Sequence, residues 1–327
     1  MIQTGAPRLE IRNLSVAVDT DEGQARILDR THLKLMPGSI HGVVGESGCG
    51  KSTLMRAILG ILPARGRATE GNVLLDGRDL LTLPPSVFRT EIRGGQIGFI
   101  PQDPYQAFNP VFRVGTQLLE TTRTKAGNHG DGARAGIIAL LKAVQLPDPE
   151  RALDRYPHQF SGGQRQRLLI AAALASSPAV VLADEPTTAL DVTTQAQILK
   201  LLRGLAEARG LSMLFVTHDF GVVAQLCDTV TVMYAGQTVE SGPVARVLAA
   251  PLHPYTKMLL ACHPDRSAAL SGIPGAVSSP LRPPPGCRFH PRCPSASAEC
   301  SKAIPPMRVR ADRQKVCCVL YDEQERV

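Results

Sequence analysis

The sequence contains no tryptophan, and aromatic residues account for only 4% of its 327 residues. Proteins that bind single-stranded nucleic acid stack bases on aromatic side chains, so this composition argues against that class. The net charge of +7 fits either a nucleic-acid-binding protein or a soluble protein with a mildly basic surface. The lysines and arginines are scattered rather than gathered in one block, which favours the second interpretation.

Long apolar runs are also missing. The longest run, at 168–175, is far shorter than the roughly 20 residues that span a membrane as a helix. The chain does not open with a basic segment followed by an apolar one, the pattern of a secretory signal. We therefore expect a protein that is kept in the cytoplasm and reaches a membrane only through a partner.

The residues that are present suit a globular α/β protein, with 43% hydrophobic and 20% charged residues. Short apolar strands alternate with helical patterns, which predicts an α/β core with a largely parallel sheet. The predicted strands are 9–18 (as an edge strand), 27–35, 40–44, 71–75, 96–100, 180–183, 211–217, 230–234 and 237–240. The predicted helices are 53–62, 84–93, 114–124, 132–144 and 196–209. Residues 264–285, rich in Pro, Ser, Gly and Ala, are predicted to form an extended connection.

The strongest motif is GESGCGKS at 45–52, which lies between an apolar strand and a helical pattern. It matches the phosphate-binding loop G-x-x-x-x-G-K-[ST], whose backbone N–H groups and helix N-terminus hold a polyphosphate. Lys51 is predicted to reach the β- and γ-phosphates of a nucleoside triphosphate, and Ser52 to bind Mg²⁺. The predicted binding residues are Gly45, Glu46, Ser47, Gly48, Cys49, Gly50, Lys51, Ser52 and Thr53.

A second motif, VVLADEP at 180–186, places two acids directly after a buried strand. Open α/β sheets bind ligands at the carboxyl ends of their strands. Asp184 is therefore predicted to hold Mg²⁺, and Glu185 to orient or deprotonate the attacking water. Two acids after a strand usually form an ordinary solvated loop, and only their pairing with an intact phosphate-binding loop favours catalysis.

A third motif, SGGQRQR, begins at Ser161 and opens a helical run. Three elements in this order make the chain resemble the nucleotide-binding subunits of ATP-binding cassette (ABC) proteins over about residues 8–263, with SGGQRQR as the family signature. The resemblance implies a P-loop NTPase (RecA-like) fold with an antiparallel β subdomain. The cassette would cover 1–263, with a helical subdomain at about 103–160, and a small loop-rich C-terminal extension would cover 264–327.

In that family two subunits pack head to tail, and each ATP lies between the phosphate-binding loop of one and the signature of the other. The resemblance implies that Gln102 contacts Mg²⁺ and the attacking water and that His218 senses the γ-phosphate. Asp191 matches the aspartate of the inter-subunit loop. The signature residues implied to bind ATP are Ser161, Gly162, Gly163 and Gln164.

One departure concerns adenine, which the family usually covers with an aromatic residue near 20–27. This chain has no aromatic residue before Phe88. Arg26 or Ile27 is expected to cover the ring instead, by guanidinium stacking or by apolar contact.

Four further segments indicate the branch of the family: FIPQDPYQAFNP at 99–110, YPHQFSGGQ at 156–164, HPYTKML at 253–259 and GCRFHPRCPSASAEC at 286–300. Together they resemble the ATPase subunits of dipeptide and oligopeptide importers, a group that includes nickel and glutathione importers. The implied partners are a second, related ATPase and two membrane permeases, with a substrate-binding protein beyond them, on the cytoplasmic face of the membrane. The alternative is a non-transport ABC ATPase that clamps a soluble partner or nucleic acid.

Five of the eight cysteines cluster near the end of the chain: Cys287, Cys293, Cys300, Cys317 and Cys318. A cytoplasmic location argues against structural disulfides. Four thiolates in a loop-rich segment suit Zn²⁺ or an iron–sulfur cluster, and free thiols are the simpler alternative. By resemblance to importer ATPases, we expect a 4Fe–4S cluster on Cys287, Cys293, Cys300 and either Cys317 or Cys318.

Overall fold

The computed structural model describes residues 5–122, 131–262, 272–310 and 313–321. The strands are β1 (Leu9–Thr20), β2 (Gly23–Leu35), β3 (Ile40–Val44), β4 (Gly66–Leu75), β5 (Arg78–Asp79), β6 (Ile97–Ile100), β7 (Val180–Asp184), β8 (Ser212–Thr217), β9 (Thr229–Tyr234), β10 (Gln237–Pro243), β11 (Arg308–Val309) and β12 (Lys315–Val316). The helices are α1 (Lys51–Ile58), α2 (Pro85–Val87), α3 (Val114–Thr122), α4 (Asp131–Ala143), α5 (Pro149–Ala152), α6 (Gly162–Leu174), α7 (Val192–Arg209), α8 (Phe220–Leu226), α9 (Val244–Ala249) and α10 (Pro254–Ala261).

The chain divides into two compact units, and the first comprises Met1–Arg8, Leu35–Ile40 and Thr82–Val216. Its sheet has the order β8-β7-β6, and β7 runs parallel to both neighbours. The valine- and leucine-rich β7 is buried on both faces, as expected for a central parallel strand. Helices α3, α4 and α6 contact one another, and α6 also contacts β6 and α7. This unit therefore carries the ends of β6 and β7 and also the start of α6.

The second unit comprises Leu9–Lys34, His41–Leu81 and Thr217–Val327. One sheet has the order β2-β1-β4-β5, with β4 antiparallel to β1 and to β5. A second set of strands has the order β11-β12-β10-β9-β3, and β3 runs parallel to β9. Between β9 and β10, Ala235 and Gly236 both have positive φ (43° and 84°), the geometry of a tight hairpin turn. The predicted hairpin around these two residues is confirmed.

The structure confirms most predicted elements and corrects three. Residues 9–18 were predicted as an edge strand, but β1 lies between β2 and β4. The strand β4 begins at Gly66, in a polar stretch that was not predicted as a strand, and pairs along β1. Residues 84–93 were predicted as one helix, but they form the short α2 followed by a π-helical turn, Phe88–Ile92. The short helices α8, α9 and α10 had no predicted counterpart.

Two predicted segments extend beyond what the structure describes. Within the predicted extended connection, residues 272–285 form neither helix nor strand, and 263–271 lie outside the described residues. The predicted helix 114–124 is observed to Thr122, and its last two positions also lie outside. Among the residues that are described, no helix is both long and apolar enough to cross a bilayer.

The buried His41 makes stability depend on pH. It lies on β3, 2% exposed, with its ring nitrogens 2.7 and 2.8 Å from the hydroxyls of Thr229 and Thr231. Burial lowers the pKa of His41 from 6.5 to about 4. Because the pKa is lower in the folded state, protonation favours the unfolded chain. The free energy of unfolding is therefore highest above the pKa of the unfolded state, and it falls by about 3 kcal/mol as the pH drops towards 4.

We therefore expect the free energy of unfolding, measured with urea, to fall between neutral pH and about pH 4. His41→Asn removes the titrating ring, and its stability should decline less over the same range. Equal declines for the two proteins would show that His41 does not cause the effect.

Candidate active site

The phosphate-binding loop in the second unit leaves the buried β3 and ends at α1. Gly48 and Gly50 have φ of 79° and 103°, a region that L side chains rarely adopt. A Cβ added at Gly45 would lie 2.2 Å from the carbonyl oxygen of Met233, whereas one added at Gly48 would meet nothing within 4 Å. The loop therefore packs its backbone against β9 on one side and stays open at Gly48, as a cradle for a phosphate group requires.

Lys51 is buried inside this loop although it carries a charge. Its Nζ donates to the carbonyl oxygen of Gly45 at 2.7 Å and to that of Glu46 at 3.2 Å. Ser52, the next residue, is exposed. The loop thus holds an ammonium group against its own carbonyls beside an exposed hydroxyl, the donor set that suits a polyphosphate with Mg²⁺. In the same loop, burial raises the pKa of the Cys49 thiol.

His218 follows β8 and belongs to the second unit. It is exposed. The next residue, Asp219, caps α8 by accepting a hydrogen bond from the backbone N–H of Gly221 at 2.6 Å. The cap fixes the backbone directly after His218, so the ring is presented from a rigid strand–helix junction.

In the first unit the structure brings Glu185 and Gln102 together. The amide Nε2 of Gln102 lies 3.5 Å from Glu185 Oε2, and the hydroxyl of Thr188 donates to the same oxygen at 3.1 Å. Glu185 has a φ of 44°, and its N–H donates to the carbonyl oxygen of Val216 at 2.9 Å. A non-glycine residue in this region is strained, which is common at catalytic positions. Asp184, half-buried, precedes it at the end of β7.

The SGGQ segment forms the start of α6. Ser161 Oγ accepts from the N–H of Gln164 at 3.4 Å, and Gln164 Oε1 accepts from the N–H of Ser161 at 3.1 Å, a reciprocal capping box. A Cβ added at Gly163 would lie 2.9 Å from Thr194 Cγ2, so α6 and α7 approach closely here. The exposed Ser161 therefore stands at the positive end of a helix dipole.

Asp191 caps the N-terminus of α7, as Ser161 caps that of α6. Its carboxylate accepts from the backbone N–H and the hydroxyl of Thr194 at 2.9 and 2.7 Å. These hydrogen bonds lower the pKa of Asp191. Its structural role is that of a helix N-cap, and its side chain is exposed.

Comparison with known proteins decides the family. Residues 28–188 match the family model described as ABC transporter, and residues 239–300 match the one described as oligopeptide/dipeptide transporter, C-terminal region. The oligopeptide transport ATP-binding protein OppD of Salmonella typhimurium is 41% identical over 312 residues, which cover 94% of this chain and 92% of the relative. The chain belongs to the ABC transporter family of ATP-binding subunits.

Other relatives and solved structures agree with this family. The dipeptide transport ATP-binding protein DppD of Bacillus subtilis is 42% identical over 97% of this chain and 95% of its own. The dimeric bacterial ABC cassette MJ0796 aligns with a TM-score of 0.64 and 28% identity, over 72% of this chain and 98% of that chain. CbiO1 of Clostridium perfringens aligns with a TM-score of 0.65 and 27% identity, over 75% and 92%. The α/β P-loop fold and ATPase activity predicted from sequence are therefore confirmed.

In the described part of the tail of this ABC subunit, residues 272–310 and 313–321, the structure shows no assembled metal site. Cys287, Cys293, Cys300 and Cys318 line one small cavity of about 10 Å³, whereas Cys317 Sγ lies 3.7 Å from Met307 Sδ. Burial raises the pKa of Cys287 and of Cys317 to about 12, so both thiols are protonated at neutral pH. Across the described ranges, no three His, Cys, Asp or Glu side chains are grouped so that they could hold a metal ion.

Sequence reasoning missed a group of residues around Glu46. Arg292 pairs with the Glu46 carboxylate at 2.9 Å, and the Tyr255 hydroxyl accepts the Glu46 N–H at 2.9 Å. Tyr255 lies in HPYTKML and Arg292 in GCRFHPRCPSASAEC, two segments that indicated only the branch of the ABC family. Their separation from Glu46 by 209 and 246 positions left no local signal for the contact.

Proposed function

We propose that this ABC subunit hydrolyses ATP to drive the import of dipeptides, oligopeptides or a related small solute. The observation that carries the proposal is the C-terminal region at 239–300, because it matches a family described by oligopeptide and dipeptide transport. Three relatives that match nearly the whole chain are named for peptide, dipeptide or oligopeptide transport. None of these three is named as a non-transport ATPase, the alternative interpretation.

The ATPase residues are proposed to act as the family resemblance implies. Lys51 and the loop glycines bind the phosphates of ATP, while Ser52, Gln102 and Asp184 hold Mg²⁺, which neutralises charge on the transferred phosphoryl group. Glu185 accepts the proton of the attacking water. The hydrogen bond from Thr188 supports this role, because it fixes the orientation of the carboxylate.

The signature residues are proposed to complete the ATP site of a second subunit. Ser161 and Gly163 would contact the γ-phosphate bound on the partner, with Gly162, Gln164 and Asp191 beside them, while His218 would sense the γ-phosphate on its own side. Exposure of Ser161 at the N-terminus of α6 supports the proposal, since its hydroxyl is accessible to an anion. We infer that the second subunit is a related ATPase, so that the working pair is a heterodimer.

The surface that meets the permeases is proposed to lie in the first unit. Tyr105, Val111 and Phe112 are 56%, 70% and 52% exposed, and they follow the strand that leads to Gln102. Exposed large apolar side chains so close in sequence are typical of a contact with another protein. We infer that two membrane permeases dock here, which would hold the subunit on the cytoplasmic face of the membrane, with a substrate-binding protein on the far side.

Peptide uptake by cells tests this function. Cells from which this chain has been deleted should lose the uptake of radiolabelled di- or oligopeptides and should regain it when the chain is restored. Unchanged uptake, together with isolation of the protein in a soluble or nucleic-acid complex, would support the non-transport alternative instead.

Two finer assignments remain proposals. The first is the functional division of the chain into a cassette over 1–263 and a C-terminal extension over 264–327.

The second is a 4Fe–4S cluster on the tail cysteines, which is supported only by the cavity that Cys287, Cys293, Cys300 and Cys318 share. Purification without oxygen, followed by iron and sulfide analysis, tests it, and a colourless protein without iron would exclude it. No step proposed for ATP hydrolysis depends on this cluster.

A further inference from the structure

The phosphate-binding loop carries a negative charge of its own. Glu46 is its second residue, and the Glu46 side chain is 24% exposed. The carbonyl oxygen of the same residue lies 3.2 Å from Lys51 Nζ. A carboxylate within the loop itself would repel a polyphosphate unless another cation held it.

Arg292 supplies that cation from the C-terminal segment of the second unit. Its Nη1 and Nη2 donate to the two carboxylate oxygens of Glu46 at 2.9 and 3.3 Å, a bidentate pair. The guanidinium also donates to the hydroxyl of Tyr234 at 3.2 Å and to the carbonyl oxygens of Ile273 and Pro274 at 2.8 and 2.9 Å. These contacts use the donor capacity of a guanidinium in full, and the Arg292 side chain is only 5% exposed.

An aromatic cluster holds both partners in place. The rings of Tyr234, Tyr255 and Phe289 lie 4.8 to 5.3 Å apart between centroids. The Tyr255 hydroxyl accepts the backbone N–H of Glu46 at 2.9 Å. Burial raises the pKa of Tyr255, so the hydroxyl stays neutral. The loop start is therefore fixed at both its backbone and its carboxylate by residues that lie far later in the chain.

We propose that Arg292 is a positioning residue of the ATP site, which neutralises the Glu46 carboxylate and holds it in place, so that the loop accepts a polyphosphate. The proposal rests on ATP binding by residues 45–52 and adds that the C-terminal extension is part of the nucleotide site. The Arg292 side chain is 5% exposed and that of Glu46 24%, so salt screens this bidentate pair less than a surface pair, and removal of Arg292 leaves a carboxylate in the loop without its cation.

The proposal predicts that loss of Arg292 weakens nucleotide binding in proportion to the charge of the phosphates, and that a second substitution, at Glu46, restores it. Arg292→Gln should raise the Kd for ATP roughly tenfold, the effect of one charge-assisted interaction. ADP, with less charge, should be affected less, and adenosine hardly at all. The double variant Glu46→Gln, Arg292→Gln removes both charges and should bind ATP within about threefold of the wild type.

Isothermal titration with ATP, ADP and adenosine tests the proposal in the full chain. Arg12→Gln is the matched control, since Arg12 pairs at 2.6 Å with Glu10, a carboxylate outside the loop. If Arg292→Gln fails to fold, Arg292→Lys replaces it, since lysine keeps the charge but cannot form the bidentate pair. Its Kd for ATP should rise less than tenfold, and addition of Glu46→Gln should again restore binding.

Two results would overturn the proposal: an unchanged Kd for ATP in Arg292→Gln, or a double variant as weak as the single one. The second result would mean that Arg292 acts only as a structural support. If the wild type itself failed to bind ATP, the nucleotide site would be wrong. A wild type that binds ATP and loses it in Lys51→Ala, but not in Arg292→Gln, would reject only the role of Arg292.

Discussion

Glu185→Gln should lower ATP turnover by the assembled transporter by a factor of roughly 10² to 10⁴, the usual contribution of a general base. The substitution keeps the size and hydrogen-bonding shape of the side chain but removes its ability to accept a proton. The contact with Gln102 at 3.5 Å and the hydrogen bond from Thr188 should persist. ATP binding should therefore survive, and the protein should accumulate as an ATP-bound dimer.

Turnover is measured as phosphate release, and dimer formation by size-exclusion chromatography in the presence of ATP. Glu120→Gln makes the same chemical change at an exposed position on α3 and should leave turnover unchanged. Near-normal turnover in Glu185→Gln would remove Glu185 from the role of base.

Lys51→Ala should raise the Kd for ATP roughly 10- to 100-fold, because it deletes a charged donor from inside the loop. Lys51 Nζ contacts two loop carbonyls at 2.7 and 3.2 Å. Binding of ATP requires the ammonium group to exchange at least part of this contact for phosphate oxygens. The loss should be larger for ATP than for AMP, since Lys51 addresses the terminal phosphates.

Fluorescent nucleotide titration measures this effect, with Lys200→Ala, an exposed lysine on α7, as the matched control. A melting temperature equal to that of the wild type would exclude unfolding as the cause. Equal affinities of Lys51→Ala and the wild type for ATP would contradict the assignment of the loop.

The sequence predicts the phosphate-binding loop well because its information is local. Eight consecutive residues between a strand and a helix specify the backbone, and left-handed conformations fall at Gly48 and Gly50. The capping box at Ser161 is equally local, since it spans four residues. Apolar strands such as β3 and β7 are also readable, because every residue of β3 and most of β7 are buried.

Contacts between distant positions were not predictable in the same way. The pair between Glu46 and Arg292 joins residues 246 positions apart, and neither residue type is unusual in its own segment. The position of β1 between β2 and β4 depends on which strands pair, which periodicity does not encode. Helices α8, α9 and α10 have only 7, 6 and 8 residues, too few for a helical period to emerge.

The C-terminal segment, here residues 253–300, links these findings. Its sequence was informative about the branch of the family, because of motifs such as HPYTKML, but not about mechanism. In the structure the same segment holds Glu46 through Arg292 and Tyr255. A feature that first distinguished one group of transporters therefore also contributes to the geometry of the phosphate-binding loop.

The most direct test of the account is the uptake of labelled peptide into proteoliposomes that contain this subunit with its co-purified membrane partners. We predict that peptide accumulates inside the vesicles only when ATP is supplied to this subunit, and that Glu185→Gln abolishes accumulation. ATP hydrolysis at the normal rate with no accumulation of any di- or oligopeptide, or accumulation that persists in Glu185→Gln, would contradict the account.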